Sequence, residues 1–357
     1  MSALDILVTT YNGVAHLGDC LQSLVRQRFT DFRVLVIDNA SSDATPALVE
    51  EWMARDARIH YHRNPQNIGH MLSADTAYRM TGAEYVLQIH DDDMLHPDFL
   101  SQVLEQGLMQ HPDCPFAYSL FYRLVDGVTL PGIHQYRPEL PTGVHDVLPA
   151  LCFTNWILQS FTVFRRAWFD AVGGFQRHIA RLHPEDAVKL RGGFVDHYMW
   201  ARLATLGPAY VVDEPLGYYR IHASSQFNQS SGSRRLIQEA IRTYDYIYDD
   251  HDLFDDVTRY LVKLNQAGRL LTQCGLIKTA VDMLQSPDTG PELAPIRRAF
   301  LQGLHTGLEH MVFDSPKFRE HFRLETPETL GMLAQIIRDL PPDTTLRPRN
   351  TLRARMS

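Results

Sequence analysis

Residues 4–39 read LDILVTTYNGVAHLGDCLQSLVRQRFTDFRVLVIDN. The opening LDILVTT is a short β-branched apolar run ended by the turn signal Asn12-Gly13, and it reads as a buried strand. Behind it Leu17, Leu21, Leu24 and Val25 recur at helical spacing, and FRVLVIDN, residues 32–39, is a second apolar run of strand length. Strand, helix, strand is the unit from which a parallel sheet covered by helices is built.

The unit repeats along the chain. SSDATPALVEEWMARD, 41–56, sets Ser and Asp capping signals before a helix. ARIHYHRN, 57–64, is a third strand, NIGHMLSADTAYRMTG, 67–82, a helix, and AEYVLQIH, 83–90, a fourth strand. From about 115 to 230 the alternation gives way to mixed strands and loops and one helix, FVDHYMWARLATLG. After the polar SSQFNQSSGSRR, only helical periodicity remains, as in Ile237, Ile241, Tyr244 and Ile247. The expected organisation is an α/β domain over 1–230, an all-helical extension over 231–340, and a basic, disordered tail over 341–357.

Composition excludes several classes of function. A chain of 357 residues with 45% hydrophobic and 21% charged residues is ordinary for a folded globular protein. Its formal charge of -8 argues against nucleic acid as a partner, because phosphate backbones are held by an excess of lysine and arginine. Cys20, Cys114, Cys152 and Cys274 are scattered, without metal-binding or disulfide-framework spacing. The N-terminus has no basic region followed by an apolar core. The longest apolar candidate, LPALCFTNWILQSFTVF, is interrupted by Thr154, Asn155, Gln159 and Ser160 and falls short of a span. A cytoplasmic protein with at most peripheral membrane contact is expected.

The fourth strand delivers Asp91, Asp92 and Asp93 to its C-terminal end, the edge at which open α/β sheets bind ligands. Three adjacent carboxylates repel one another. A helix cap before PDFLSQVLEQGL uses one of them and gains nothing from the others. A hard divalent cation, Mn²⁺ or Mg²⁺, takes oxygen ligands and offsets the repulsion, and such ions usually arrive with phosphate groups.

These residues carry a resemblance. ILVTTYNGVAHLGDCLQSLVRQRFTDFRVLVIDNASSDAT, followed by AEYVLQIHDDDMLHPDFL, resembles the start of a family 2 inverting glycosyltransferase. The likeness continues through VGGF (172–175), VDHYMWARLATLG (195–207) and PLGYYRIHASS (215–225), and so covers roughly residues 4–225. It implies a GT-A fold, a Rossmann-like, mostly parallel sheet flanked by helices, here with a helical C-terminal extension. It also implies transfer of one sugar from a uridine or thymidine diphosphate sugar to the hydroxyl of a glycan, glycolipid or protein-linked acceptor, in bacterial-type polysaccharide or glycoconjugate assembly.

Carried over by position, Thr9, Thr10 and Tyr11 resemble the family's segment along the base and ribose. Asp38 matches the first acid of an Asp-Asp pattern, and Asn39 stands where the second is usual, still able to hydrogen-bond a pyrimidine edge. Against the Asp-x-Asp-Asp signature, His90 replaces the first acid. Asp92 is then the metal ligand, Asp91 lies at ribose or metal, and Asp93 stands beside them, with a support or cap for a helix near Pro97 as its other reading. Tyr219, Arg220 and His222 match a late Arg-x-His motif at the diphosphate, with Arg220 on the phosphates and His222 as a further metal ligand. Inverting transfer needs one general base, and Asp196 matches the Asp of a Glu-Asp pair in which Val195 replaces the Glu; Glu185-Asp186 is the rival. Gly173 and Gly174 resemble a loop close to the sugar, and Trp156, Gln159 and Ser160 are candidates to face the acceptor. The helical extension is expected to shape the acceptor side or to form a homo-oligomer interface. The competing functions are a catalytically degenerate nucleotide-sugar-binding scaffold, suggested by Asn39, His90 and Val195, and a nucleotidyltransferase. The latter expects a Gly-rich phosphate loop that YNGVAHLGD does not provide.

Overall fold

The computed structural model describes residues 2–131, 139–151, 155–180 and 195–222, together with scattered positions between 244 and 266. The chain divides into two compact units, Met1–Ser231 and Gly232–Ser357. The helical extension and basic tail expected from the sequence fall almost wholly outside the described residues, as does Glu185-Asp186.

The first unit alternates as its sequence predicts: β1 (Leu4–Thr10), α1 (Leu17–Val25), β2 (Phe32–Asp38), α2 (Thr45–Arg55), β3 (Ile59–Arg63), α3 (His70–Arg79) and β4 (Tyr85–His90). β5 (Met94–Leu95), β6 (Phe116–Val125), β7 (Val128–Pro131), β8 (Gly143–His145), β9 (Thr162–Arg165) and β10 (Ala209–Ile221) complete one sheet. The helices α4 (Leu148–Leu151), α5 (Arg166–Ala171), α6 (Gly174–Ile179) and α7 (Val195–Ala204) lie between β8 and β10 in the chain. Sheet order is β3-β2-β1-β4-β9-β6-β10-β5, with β7 on β6 and β8 on β10.

The expectation of a mostly parallel sheet holds for the first four strands and changes at β9. β1, β2, β3 and β4 pair in parallel. β9 then runs antiparallel to both β4 and β6, while β10 returns parallel to β6.

Both faces of β1, β2 and β4 are covered, and β1 is buried along its whole length, whereas β3 at the sheet edge buries only Ile59. Leu4, Ile6 and Val8 pack with Leu17, Leu21 and Leu24 of α1 and with Val49 and Trp52 of α2, while α3 lies against β1 and β2. Burial of Asp5 within this run is the exception, and Arg33, its register partner on β2, accounts for it. Arg33 donates through Nε and Nη2 at 2.9 Å each, and the Gly82 and Ala83 amides add two more donors. Burial alone pushes the Asp5 carboxyl up; the hydrogen bonds and charge of Arg33 with these amides outweigh it and hold the group below its usual range.

PDFLSQVLEQGL does not form the regular α-helix its pattern suggests. After Asp93 the chain makes the short strand β5, and a turn of π-type spacing follows at Ser101–Glu105. Val103 and Leu104 still face the core.

Candidate active site

Register brings the site together. Thr10 of β1 lies beside Asp38 of β2, and Thr9 beside His90 of β4. The C-terminal ends of these parallel strands therefore meet at one edge, which β10 joins with Arg220 and His222.

On the side expected for the nucleotide, Thr9 and Thr10 are buried and Tyr11 is half exposed. Asp38 is fully buried: Oδ1 accepts the Ser41 amide at 2.8 Å and Oδ2 accepts the Tyr61 hydroxyl at 2.6 Å, with Arg63 Nε at 3.7 Å. Asn39 donates to Asn67 Oδ1 at 2.8 Å and accepts from Asn64 and the Ile68 amide. Asp38 and Asn39 thus shape the loops after β2 and β3, a brace that their motif position does not reveal.

Gly13 explains how the first loop approaches the aspartates. A Cβ at this position would collide with the Asp91 carboxylate and the Thr10 hydroxyl. Thr10 Oγ1 itself donates to Asp91 Oδ2.

The three aspartates have unequal surroundings. Asp91 is pushed up to about 7, chiefly by burial and further by the charge of Asp92, against the opposing hydrogen bond from Thr10. Asp93 is fully buried, accepting the Ser160 hydroxyl at 2.5 Å and the Arg220 amide at 3.1 Å. Burial first, and then the charge of Asp92, drives its carboxyl upward. Its alternative reading as a helix cap is corrected here, since a strand follows it and its oxygens hold β10 and the segment before β9. Ser160, expected to face the acceptor, is instead buried under Asp93 and also accepts the His90 amide at 3.1 Å. Trp156 and Gln159 are buried as well, hydrogen-bonded to Tyr118 and Gln88.

Asp92 meets the late motif. His222 Nε2 lies 3.0 Å from Asp92 Oδ2. Arg220 sends Nε to the Asp92 carbonyl at 3.0 Å and Nη2 to Asp19 Oδ2 at 2.8 Å, so its side chain clasps the aspartate loop to α1. The ring of His16 sits 4.5 Å from that of His222. Neither Asp19 nor His16 has a sequence signal that points here; both arrive because α1 begins above the loop.

Residues fit a divalent cation. His90, Asp92 and Asp93 offer ligand atoms that all lie within 4.8 Å of one another, and His222 stands against the same Asp92. The upward shifts of Asp91 and Asp93 are those that a nearby positive charge reverses. Oxygen donors with imidazole suit a first-row divalent ion.

Asp196 occupies the first turn of α7. It accepts the His197 amide at 2.9 Å. Burial pushes its carboxyl up to about 6, against the lowering effects of the His197 amide and the Asn155 side chain. The Tyr219 phenol is raised first by burial and then by the charges of Asp93, Asp92 and Asp196. Behind Asp196, Trp200 and Arg202 are buried, and Arg202 Nη1 donates to the carbonyls of Val172 and Gly174 at 2.9 and 2.8 Å. Gly173 and Gly174 make a turn with φ of 84° and 54°, so VGGF anchors the helix that carries Asp196.

Residues 5–121 match the family model described as Glycosyl transferase family 2. Over 103 residues the chain is 28% identical to the Putative glycosyltransferase EpsH of Bacillus subtilis strain 168, a match spanning 29% of each chain. Among solved structures, S. aureus TarS 1-349 in complex with UDP-GlcNAc superposes with a TM-score of 0.56 at 15% identity, covering 95% of this chain and 91% of that one. The mannosyltransferase PcManGT from Pyrobaculum calidifontis, in complex with GDP-Man and Mn²⁺, gives 0.54 at 16% identity, covering 95% and 87%. At these identities the structural likeness speaks for the fold. The family 2 match thus covers residues 5–121, the segment that carries β1 to β4 and the three aspartates, and the structural likeness gives the chain a GT-A fold.

Proposed function

We propose that the chain is a metal-dependent inverting glycosyltransferase that moves one sugar from a uridine diphosphate sugar to an acceptor hydroxyl in polysaccharide or glycoconjugate assembly. The observation that carries this reading is the strand-edge cluster in which His90, Asp92 and Asp93 offer ligand atoms within 4.8 Å of one another and His222 Nε2 lies 3.0 Å from Asp92 Oδ2. Such a cluster suits a cation that would meet the donor phosphates.

Asp92 and His222 would hold the cation, which when bound would neutralise charge developing on the leaving diphosphate. Thr9, Thr10 and Tyr11 line the base and ribose, with Asp38 and Asn39 fixing the loops beside them. Arg220 keeps the Asp92 loop in place and adds positive charge on the phosphate side. Asp196 takes the acceptor proton as that oxygen attacks; a single carboxylate suffices for inverting transfer. The TarS complex with UDP-GlcNAc supports a uridine donor, and the PcManGT complex with Mn²⁺ supports a divalent ion.

The test is turnover of a panel of nucleotide sugars with Mn²⁺, alongside thermal shift with UDP, GDP and dTDP. Asp92→Ala should abolish turnover. Asp196→Ala should keep UDP binding and lose turnover by about 10²- to 10⁴-fold. Turnover surviving Asp196→Ala sinks the base assignment, and the absence of any nucleoside diphosphate response sinks the functional reading.

A further inference from the structure

The residue at the end of β4 departs from the acid usual in its family, and its surroundings give the departure a chemical meaning. His90 follows the last apolar residue of β4, and its amide is pinned by Ser160 Oγ at 3.1 Å. This fixes the direction in which the side chain leaves the strand. Its Nδ1 lies 3.9 Å from Asp93 Oδ2. The ligand atoms of His90, Asp92 and Asp93 all fall within 4.8 Å of one another. An octahedral ion with bonds of about 2.1 Å separates its own ligands by about 3.0 to 4.2 Å, so the three atoms require only a small contraction to share one ion. Asp93 already accepts hydrogen bonds from Ser160 and the Arg220 amide, which leaves His90 the less committed partner of Asp92 in the group.

We propose that His90 is a direct metal ligand, and that its nitrogen makes the site selective for Mn²⁺ and other first-row transition ions over Mg²⁺. The proposal deepens the functional reading above and rests on it for the presence of a cation. The physical basis is ligand preference. Mg²⁺ and Ca²⁺ favour carboxylate, carbonyl and water, whereas imidazole suits the transition ions. Replacing a carboxylate by an imidazole also lowers the negative charge of the site, which removes more Coulomb attraction than an oxygen-seeking ion can regain from nitrogen. His222, 3.0 Å from Asp92, adds to the same preference. The side chain of His90 is 39% exposed, and its ring meets that of His70 edge-on at 5.4 Å.

The experiment uses the full chain and Mn²⁺ alone, without nucleotide. Binding is titrated by electron paramagnetic resonance, and nitrogen coordination is read from ¹⁴N modulation of the bound Mn²⁺ echo. The parent protein should bind Mn²⁺ at least about tenfold more tightly than Mg²⁺ and show ¹⁴N modulation. His90→Ala should weaken Mn²⁺ by about tenfold or more and reduce the modulation, with Mg²⁺ affinity changed less. His90→Asp, which restores a carboxylate, should reduce the modulation while narrowing the preference for Mn²⁺. Thermal melts of the metal-free variants separate loss of a ligand from loss of fold, and the Asp variant preserves the test if the Ala variant melts early. Equal ¹⁴N modulation in parent and His90 variants, equal affinity for Mn²⁺ and Mg²⁺, or no Mn²⁺ binding at millimolar concentration each overturns the proposal. Because sugar turnover is not the readout, the two readings can fail separately. His90-dependent Mn²⁺ binding without transfer of any sugar removes the functional reading alone, and transfer with an unaltered ¹⁴N signal in His90→Asp removes this one alone.

Discussion

Asp196 shows how a single carboxyl couples stability to chemistry. Burial raises it to about 6, while an acid in the unfolded chain titrates near about 3.9. A raised carboxyl favours folding while it is protonated. That contribution is complete below about pH 3.9 and is lost as pH rises through about 6. As the proposed base, Asp196 needs the opposite state, so turnover should climb with pH through about 6 and then level off. Asp196→Asn should lose turnover yet gain about 1 to 2 kcal/mol of stability at pH 8, after allowing for the partly solvated edge of the group. Urea melts at pH 8 and pH 4 check this: the gain should shrink at the lower pH, and an equal gain at both would refute it.

Other residues on the site edge differ in how far their roles were legible. Asp92, His222 and Arg220 stand in motifs, and the fold gathers them within hydrogen-bonding reach. The partnership of Ser160 with Asp93 joins positions 67 residues apart, and that of Asp19 with Arg220 joins positions 201 apart. No local pattern encodes such pairings, because they depend on which loops the completed sheet places side by side.

At the scale of elements, the strands and helices through residue 90 follow directly from apolar periodicity. A strand buried on both faces is a continuous apolar run, and a helix covering it shows one apolar stripe. β10 was harder to read. Its thirteen residues include Pro215 and Gly217, and its pairing with β6 shifts register between Val212 and Pro215 and again between Pro215 and Gly217. Those irregularities set the direction in which the strand carries Tyr219, Arg220 and His222 toward the aspartates. Gly217 is needed for packing, since a Cβ there would run into the Phe161 ring. Gly217→Ala should therefore cost about 1 to 3 kcal/mol as β10 or Phe161 moves. It should also weaken Mn²⁺ binding, although residue 217 is not itself a ligand. A stability change below about 0.5 kcal/mol in denaturant melts would show that the strand accommodates the methyl group.

At the scale of the whole molecule, every site residue named above lies within Met1–Ser231, one of the two compact units. We expect residues 1–231 expressed alone to melt cooperatively and to retain the UDP and Mn²⁺ responses of the full chain. A folded fragment that loses UDP binding would assign part of the donor site to residues after 231. Among the described residues, no helix is long and apolar enough to cross a membrane, and Cys20 and Cys114 are buried free thiols.

By itself the sequence determined the alternating parallel core, the strand edge where the aspartates emerge, and the match of residues 5–121 to the family 2 model, because these depend on short-range periodicity and local motifs. Only the tertiary structure decided that β9 reverses the sheet, that Asp93 is an interior brace and that Arg220 clasps Asp92 to α1. It also decided that the ligand atoms of His90, Asp92 and Asp93 lie within 4.8 Å of one another. These outcomes follow from packing distant loops at one edge, where burial, hydrogen bonding and charge are set jointly by segments that no local pattern links.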